Sequence, residues 1–186
     1  MAARAIQRVV ITGGNKGIGY ALALRLLRDC PDAFVLLGSR DAARGAAAVA
    51  RIAAECEGWR SRVELLLIDV TDRASVVAAV AAVAATHGGA GCLHALVNNA
   101  AVGFGLPLAD TLAANITGAR LCTDAFLPLI RRDGGRVVNI GSGAGPMFLE
   151  KCSPAVQVGV IASWPRNPES HSQSPCLARP QCVRRT

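Results

Sequence analysis

Apolar residues fall into short unbroken runs separated by longer stretches with helical spacing. Residues 8–12 (RVVIT), 33–38 (AFVLLG), 63–68 (VELLLI), 95–98 (ALVN) and 136–140 (RVVNI) are dense in aliphatic and β-branched side chains. They read as five strands. Between them, residues 20–29, 41–56, 72–86 and 110–132 repeat apolar positions at helical spacing. Pro31 ends the first of these helices. Asp41 is a candidate N-cap for the second, and Thr71 or Asp72 for the third. Pro128 lies near the end of the fourth. Strands alternating with helices predict right-handed βαβ units, and hence an α/β fold with a doubly wound parallel sheet of about five strands. The strand runs are continuous, as expected when helices cover both faces of a sheet.

The pattern stops near Gln157. Residues 158–186 contain four Pro, four Arg and a single acidic residue, Glu169, with no sustained period. The chain therefore divides into a folded region, 1–157, and an unrelated tail, 158–186, expected to be disordered.

Composition narrows the class. The chain has 186 residues, 52% hydrophobic and 18% charged, enough for one domain with a sizeable core. The longest strictly apolar run, 76–85, is too short to span a bilayer. The leading MAARAIQR runs directly into a strand, leaving no room for a secretory h-region. A cytoplasmic protein without membrane attachment is expected. The net charge of +7 suggests an acidic partner, but aromatics make up only 4%. All basic residues other than Lys16 and Lys151 are Arg, scattered along the chain without a stripe, so nucleic-acid binding is not expected. The seven cysteines include no CxxC pair, and His87, His94 and His171 lack ligand spacing. No metal site or disulfide framework follows. Cys30, Cys56, Cys92 and Cys122 read as small buried hydrophobes.

Candidate chemistry begins at Thr12–Gly19 (TGGNKGIG), between a predicted strand and a predicted helix. Gly13 permits a tight turn, Gly17 allows close approach of a pyrophosphate, and Gly19 allows helix–sheet packing. Backbone amides and the helix dipole then favour phosphate. The alternative is an ordinary glycine-containing βα loop. Lys16 in the turn and Arg40 after the second strand suit a 2′-phosphate, and neither Gly38 nor Ser39 offers a carboxylate to a ribose diol.

The TGxxxGxG spacing resembles the short-chain dehydrogenase/reductase family. Asp69-Val70 after the third strand, Asn98-Asn99-Ala100-Ala101 after the fourth, Asn115 with Gly118, and the fifth strand leading to Ser142 resemble further family motifs in the family's order. Asn15–Gly19, Ser39–Asp41 and the Leu149–Pro154 segment are similar to its carbonyl reductase branch. The resemblance covers about residues 6–157. It implies a Rossmann-type sheet of order 3-2-1-4-5, incomplete relative to the family. It also implies NADP(H) as cofactor, held by Gly13, Asn15, Lys16, Gly17, Ile18, Gly19, Arg40, Asp69, Val70, Asn98 and Ala100. Hydride transfer to a ketone, aldehyde or quinone carbonyl is the implied activity. Ser142 orients the carbonyl, and Asn115 supports a proton-relay water.

Two departures accompany the resemblance: Ala101 replaces the usual Gly, and the stretch from Asn99 to Asn115 is short. The family's catalytic Tyr and the Lys four residues beyond it have no counterpart. Tyr20 is the only tyrosine, and position 147, four before Lys151, is Met. The chain therefore reads as a C-terminally truncated carbonyl reductase with impaired chemistry. The alternative is an inactive NADP-binding or interaction fragment from a truncated or mis-spliced transcript. Self-association is expected through an exposed fifth strand and the helix 110–132, with Leu112, Ile116, Leu121 and Phe126 as candidate exposed residues.

Overall fold

Five strands form one parallel sheet of order β3-β2-β1-β4-β5 in the computed structural model, which describes residues 5–103 and 105–157. The strands are β1 (Gln7–Ile11), β2 (Ala33–Ser39), β3 (Val63–Leu67), β4 (Ala95–Asn98) and β5 (Arg136–Asn139). The expected tail, 158–186, lies outside the described residues. The helices are α1 (Gly17–Asp29), α2 (Ala42–Glu55), α3 (Arg73–His87), α4 (Leu108–Leu112), α5 (Ala119–Phe126) and α6 (Ala144–Glu150). Two units divide at Ile140, the first carrying the sheet and α1 to α5, the second α6.

Successive residues of the apolar runs serve opposite faces of the sheet. Val10, Leu36 and Leu96 lie level with one another. They pack with Val76 and Val83 of α3 and with Cys122 and Phe126 of α5. Val9, Ile11, Val35 and Leu37 face the other way, onto Ala23 and Leu27 of α1 and Ala48 and Ile52 of α2. Both faces of the central strands are dry, which is why no polar alternation marks them in the sequence. Gly45 lets α2 approach β2 and β3, since a Cβ there would lie 2.4 Å from Leu65 Cδ1. Asp41 and Asp72 cap α2 and α3, accepting from the backbone N–H groups of Arg44 and Ala74. Among the described residues no helix is long and apolar enough to cross a membrane.

Several boundaries differ from the sequence expectation. The first helix begins at Gly17 rather than at residue 20, because low-propensity glycines occupy its first turn and mask the pattern. The single helix expected over 110–132 is composite. After α4 comes a π-helical turn, Ala113–Gly118, then α5, then a 3-10 turn, Leu127–Leu129, containing Pro128. Phe126, expected on an exposed face, is fully buried, because it follows Cys122 by four residues and shares the helix face that packs on Val10, Leu36 and Leu96. Leu112 and Ile116 are exposed. Cys56 is exposed and Cys30 and Cys92 are half-buried, each sitting at an element end; only Cys122 is a core residue among the four. Burial pushes its thiol up to about 11. A 3-10 segment, Glu57–Arg62, follows α2 without a sequence signal.

Arg62 ends that segment by bracing the exit of α1. Its guanidinium donates to the carbonyls of Leu27 (2.8 Å), Cys30 (3.1 Å) and Pro31 (3.2 Å). Leu27 belongs to the last turn of α1, whose carbonyls lack intrahelical partners, and Cys30 and Pro31 carry the chain out of it. Arg62→Ala should lower stability by about 1.5–3 kcal/mol, the range for hydrogen bonds involving a charged group. Urea unfolding measures this, and an unchanged midpoint would mean that water replaces the guanidinium without loss.

Candidate functional site

The sheet order reverses direction between β1 and β4, and the loops leaving the carboxyl ends of these strands define the candidate site. Thr12, which ends the β1 run, is buried. Its hydroxyl accepts from the N–H groups of Asn99 and Ala100, both at 3.0 Å, and donates to Val97 O at 3.3 Å. The Asn99 side-chain amide donates to Thr12 O (2.9 Å) and Gly13 O (3.1 Å). On the other side, Gly14 N–H donates to Gly38 O at 2.8 Å. The glycine turn is thus tied to β2 and to the end of β4.

The three glycines meet different surroundings. Gly13 has φ +63°, and a Cβ there would lie 2.9 Å from Ala100 Cα. At Gly19 a Cβ would lie 2.5 Å from Asn99 Nδ2 and 2.8 Å from Gly13 O. Gly17 has φ +58°, and a Cβ there would meet nothing within 4 Å. The turn therefore packs inward at Gly13 and Gly19 and is open at Gly17. Lys16 and Ile18 are exposed and Asn15 is half-buried. Helix α1 has no side-chain cap and no acidic residue in its first turn. Its leading amides and dipole are available to an anion.

Beside the turn, Arg40 is exposed after β2. Ser39 is buried, and its hydroxyl donates to Asp41 O at 2.8 Å. The Asp41 carboxylate is engaged by Arg44, through the backbone N–H and through Nε, both at 2.9 Å. Those bonds, led by the Arg44 N–H, hold Asp41 below the ordinary carboxylate range. After β3, Asp69 Oδ1 accepts from Thr71 N–H (2.9 Å) and Oγ1 (2.7 Å). Val70 is buried beside Gly118, where a Cβ would lie 2.9 Å from Val70 O.

The adjacent asparagines part company. Asn98 points away from the turn, its amide donating to Thr123 Oγ1 (2.9 Å) and Asn139 Oδ1 (2.8 Å), bracing β4 against α5 and β5. Asn115 sits in the π turn. It accepts from Val102 N–H (2.8 Å) and donates to Val102 O (2.9 Å), pinning the loop after β4. Ser142 belongs to the second unit, where it is exposed and its hydroxyl accepts from Ala144 N–H at 3.1 Å. Among the sequence-derived candidates, contact joins Gly13 with Ala100. Thr12 and Asn99, which tie the turn together, stand in the sequence motifs without an expected role of their own, although a threonine closing an apolar strand just before glycines is a usable signal.

Comparison with known proteins follows this geometry. The short chain dehydrogenase family model matches residues 7–154. The chain is 40% identical over 157 residues to carbonyl reductase (NADPH) 1 of Sus scrofa, covering 80% of this chain and 51% of that protein. It is 38% identical over 163 residues to the Homo sapiens protein of the same name, covering 82% and 54%. It thus spans about half the length of these relatives. Among solved structures, the NADPH-bound carbonyl reductase from chicken fatty liver is 25% identical with a TM-score of 0.66, covering 82% of this chain and 67% of that one. A metagenomic short-chain oxidoreductase in complex with NADP is 32% identical with a TM-score of 0.61, covering 76% and 64%.

Two substitutions test the fastening of the turn. Gly19→Ala should cost about 1–3 kcal/mol through overpacking. Thr12→Val leaves two backbone N–H groups without their acceptor and should cost about 1–3 kcal/mol for each, whereas Thr12→Ser should restore most of the loss. Denaturant midpoints for the three variants give the comparison, and wild-type values for both Gly19→Ala and Thr12→Val would contradict this packing.

Proposed function

The chain belongs to the short chain dehydrogenase family, and from that premise we propose that it binds NADP(H) as the nucleotide-binding part of a carbonyl reductase-type oxidoreductase of the cytoplasm. The observation that carries this reading is the open cradle at Gly17 ahead of an uncapped helix N-terminus. A pyrophosphate fits there, because the backbone is bare and the leading amides have no competing cap. Gly13, Asn15, Gly17, Ile18 and Gly19 would line it. Lys16 and Arg40 would pair with a 2′-phosphate, aided by Arg44 holding the nearby Asp41 carboxylate. Asp69 and Val70 would flank the adenine side, and Asn98 and Ala100 would support the floor.

The cofactor, when bound, supplies a hydride to a ketone, aldehyde or quinone carbon. Ser142 is proposed to orient the carbonyl through its hydroxyl. Asn115 acts as a positioning residue, since both ends of its amide hold the backbone of Val102. Protonation of the carbonyl oxygen needs a general acid, and loss of one lowers rate by about 10²–10⁴. The 186 residues contain no Tyr-xxx-Lys, and Tyr20 starts from the glycine turn. The 186-residue chain is therefore proposed to bind without efficient turnover.

Titration calorimetry with NADPH and NADH, followed by a quinone reduction assay, tests this. NADPH should bind tighter, and Arg40→Ala should weaken NADPH about tenfold, the scale of one charge-assisted hydrogen bond, while leaving NADH unchanged. Quinone reduction should stay at background. Equal NADH affinity refutes the 2′-phosphate assignment. Robust turnover that Ser142→Ala abolishes refutes the impairment.

Self-association is the proposed fate of the β5 side of the sheet. β5 is the last strand among the described residues, and Val137, Val138 and Ile140 are exposed there. Its outer amides and carbonyls offer a template to a second copy. Leu112 and Ile116 add exposed apolar area on the π-kinked helix. Sedimentation velocity should show oligomers that weaken when Val138 is replaced by Lys; a monomer at every concentration opposes the proposal.

A further inference from the structure

The end of the sheet opposite the glycine turn carries an unassigned basic cleft. Backbone hydrogen bonds fix its walls. His94 N–H donates to Arg8 O (2.8 Å), Arg131 N–H to Leu93 O (2.9 Å) and Arg136 N–H to His94 O (3.0 Å). These bonds set Arg8, His94, Arg131 and Arg136 side by side at the amino ends of β1, β4 and β5. A cleft of about 330 Å³ lies among Arg8, Cys92, His94 and Arg131. The turn carrying Arg131 is tight, since a Cβ on Gly135 would fall 2.0 Å from Arg131 O.

Positive charge predominates around this cleft, with Asp32 near enough to act on His94. Among the described residues none of the three guanidinium groups forms a salt bridge. Arg131 Nε and His94 Nδ1 are buried without a hydrogen-bond partner there. The neighbouring acids are already engaged, Asp32 by Gln7 Nε2 at 2.7 Å and Asp29 by Arg25. Buried polar groups without partners are rare, and Arg131 Nε, a donor in every protonation state, stands here beside a histidine that becomes a second donor when protonated.

We propose that this cleft binds a small tetrahedral oxyanion, a phosphate or the phosphate group of a monoester, between Arg8, Arg131 and His94. The planar guanidinium fork suits such an anion, and the volume is sufficient for a monoester. The site is separate from the glycine turn and stands whether or not a nucleotide binds there. His94 reports on it. Burial, followed by Arg131 and Arg136, holds its imidazole below the ordinary histidine value, with Asp32 opposing. Burial likewise raises the nearby Cys92 thiol, against the field of Arg8, so Cys92 stays neutral. An anion in the cleft favours the imidazolium and raises the His94 midpoint, so binding strengthens as pH falls.

The test is an NMR titration of histidine-labelled full chain. The His94 resonance is identified by His94→Gln. Sulfate serves as the non-titrating probe, inorganic phosphate and glycerol 3-phosphate as the two sources, and sodium chloride at matched ionic strength as the control. Sulfate should raise the His94 midpoint by about 0.5 unit or more. Arg131→Gln and Arg8→Gln should each reduce the effect, and Lys16→Ala should leave it intact. Tighter binding of glycerol 3-phosphate than of phosphate assigns a monoester, and the reverse assigns the free ion. An equal response in chloride, or a sulfate response retained in both arginine variants, overturns the proposal.

Discussion

One hydroxyl holds the candidate site together. Thr12 lies where β1 ends and takes two backbone N–H groups from the residues that follow β4. Asn99 returns the bond through its side chain to the carbonyls of Thr12 and Gly13. This reciprocal tie crosses the point where the sheet order reverses, which is where an open α/β sheet leaves a crevice. Everything proposed for the glycine turn depends on it. The turn presents bare backbone at Gly17 only because Gly13 and Gly19 press against Ala100 and Asn99 with no room for a side chain. Parallel strands buried on both faces hold the frame beneath, and Val10, Leu36 and Leu96 act as one row across it.

The parallel sheet of about five strands and the glycine turn were legible from periodicity and from a local motif in the right context, whereas the strand order followed from the family resemblance. Apolar runs of strand length alternating with helical spacing leave few topologies once right-handed crossovers are required. The helix after β4 was not legible in detail. The π turn changes no composition and leaves no signal, and Phe126, expected on an exposed face, shares the buried face of Cys122. Asn98 and Asn99 illustrate a second limit. Side chains reverse direction at each residue of a strand, and a motif cannot say which of two neighbours faces the turn. The Asn98 side-chain amide braces β5 and α5, while the side chain of Asn99 grips the turn. Cys56 shows a third, since an apolar neighbourhood in sequence does not bury a residue that ends a helix.

The charge of the chain also has a spatial meaning that its composition hid. Scattered arginines argued against a nucleic-acid stripe, and they do separate in the structure. Arg40 and Arg44 lie after β2 near the turn, Arg62 braces α1, and Arg8 and Arg131 line the cleft at the opposite end of the sheet, where Arg136 N–H bonds His94 O. Three tasks are thereby distinguished by position: one beside the proposed nucleotide, one structural, and one at the proposed oxyanion cleft. The chain matches about half the length of its relatives, and the family model's match, residues 7–154, includes the turn.

Hydrogen–deuterium exchange of the 186-residue chain with and without NADPH probes the central claim most directly, because it reads the backbone amides themselves. The account predicts added protection at residues 13–20 and 40–44, with little change at residues 91–94 and 131–136. Unchanged exchange at 13–20 under saturating NADPH, or protection confined to another part of the sheet, would contradict the assignment of the Gly17 cradle to a pyrophosphate.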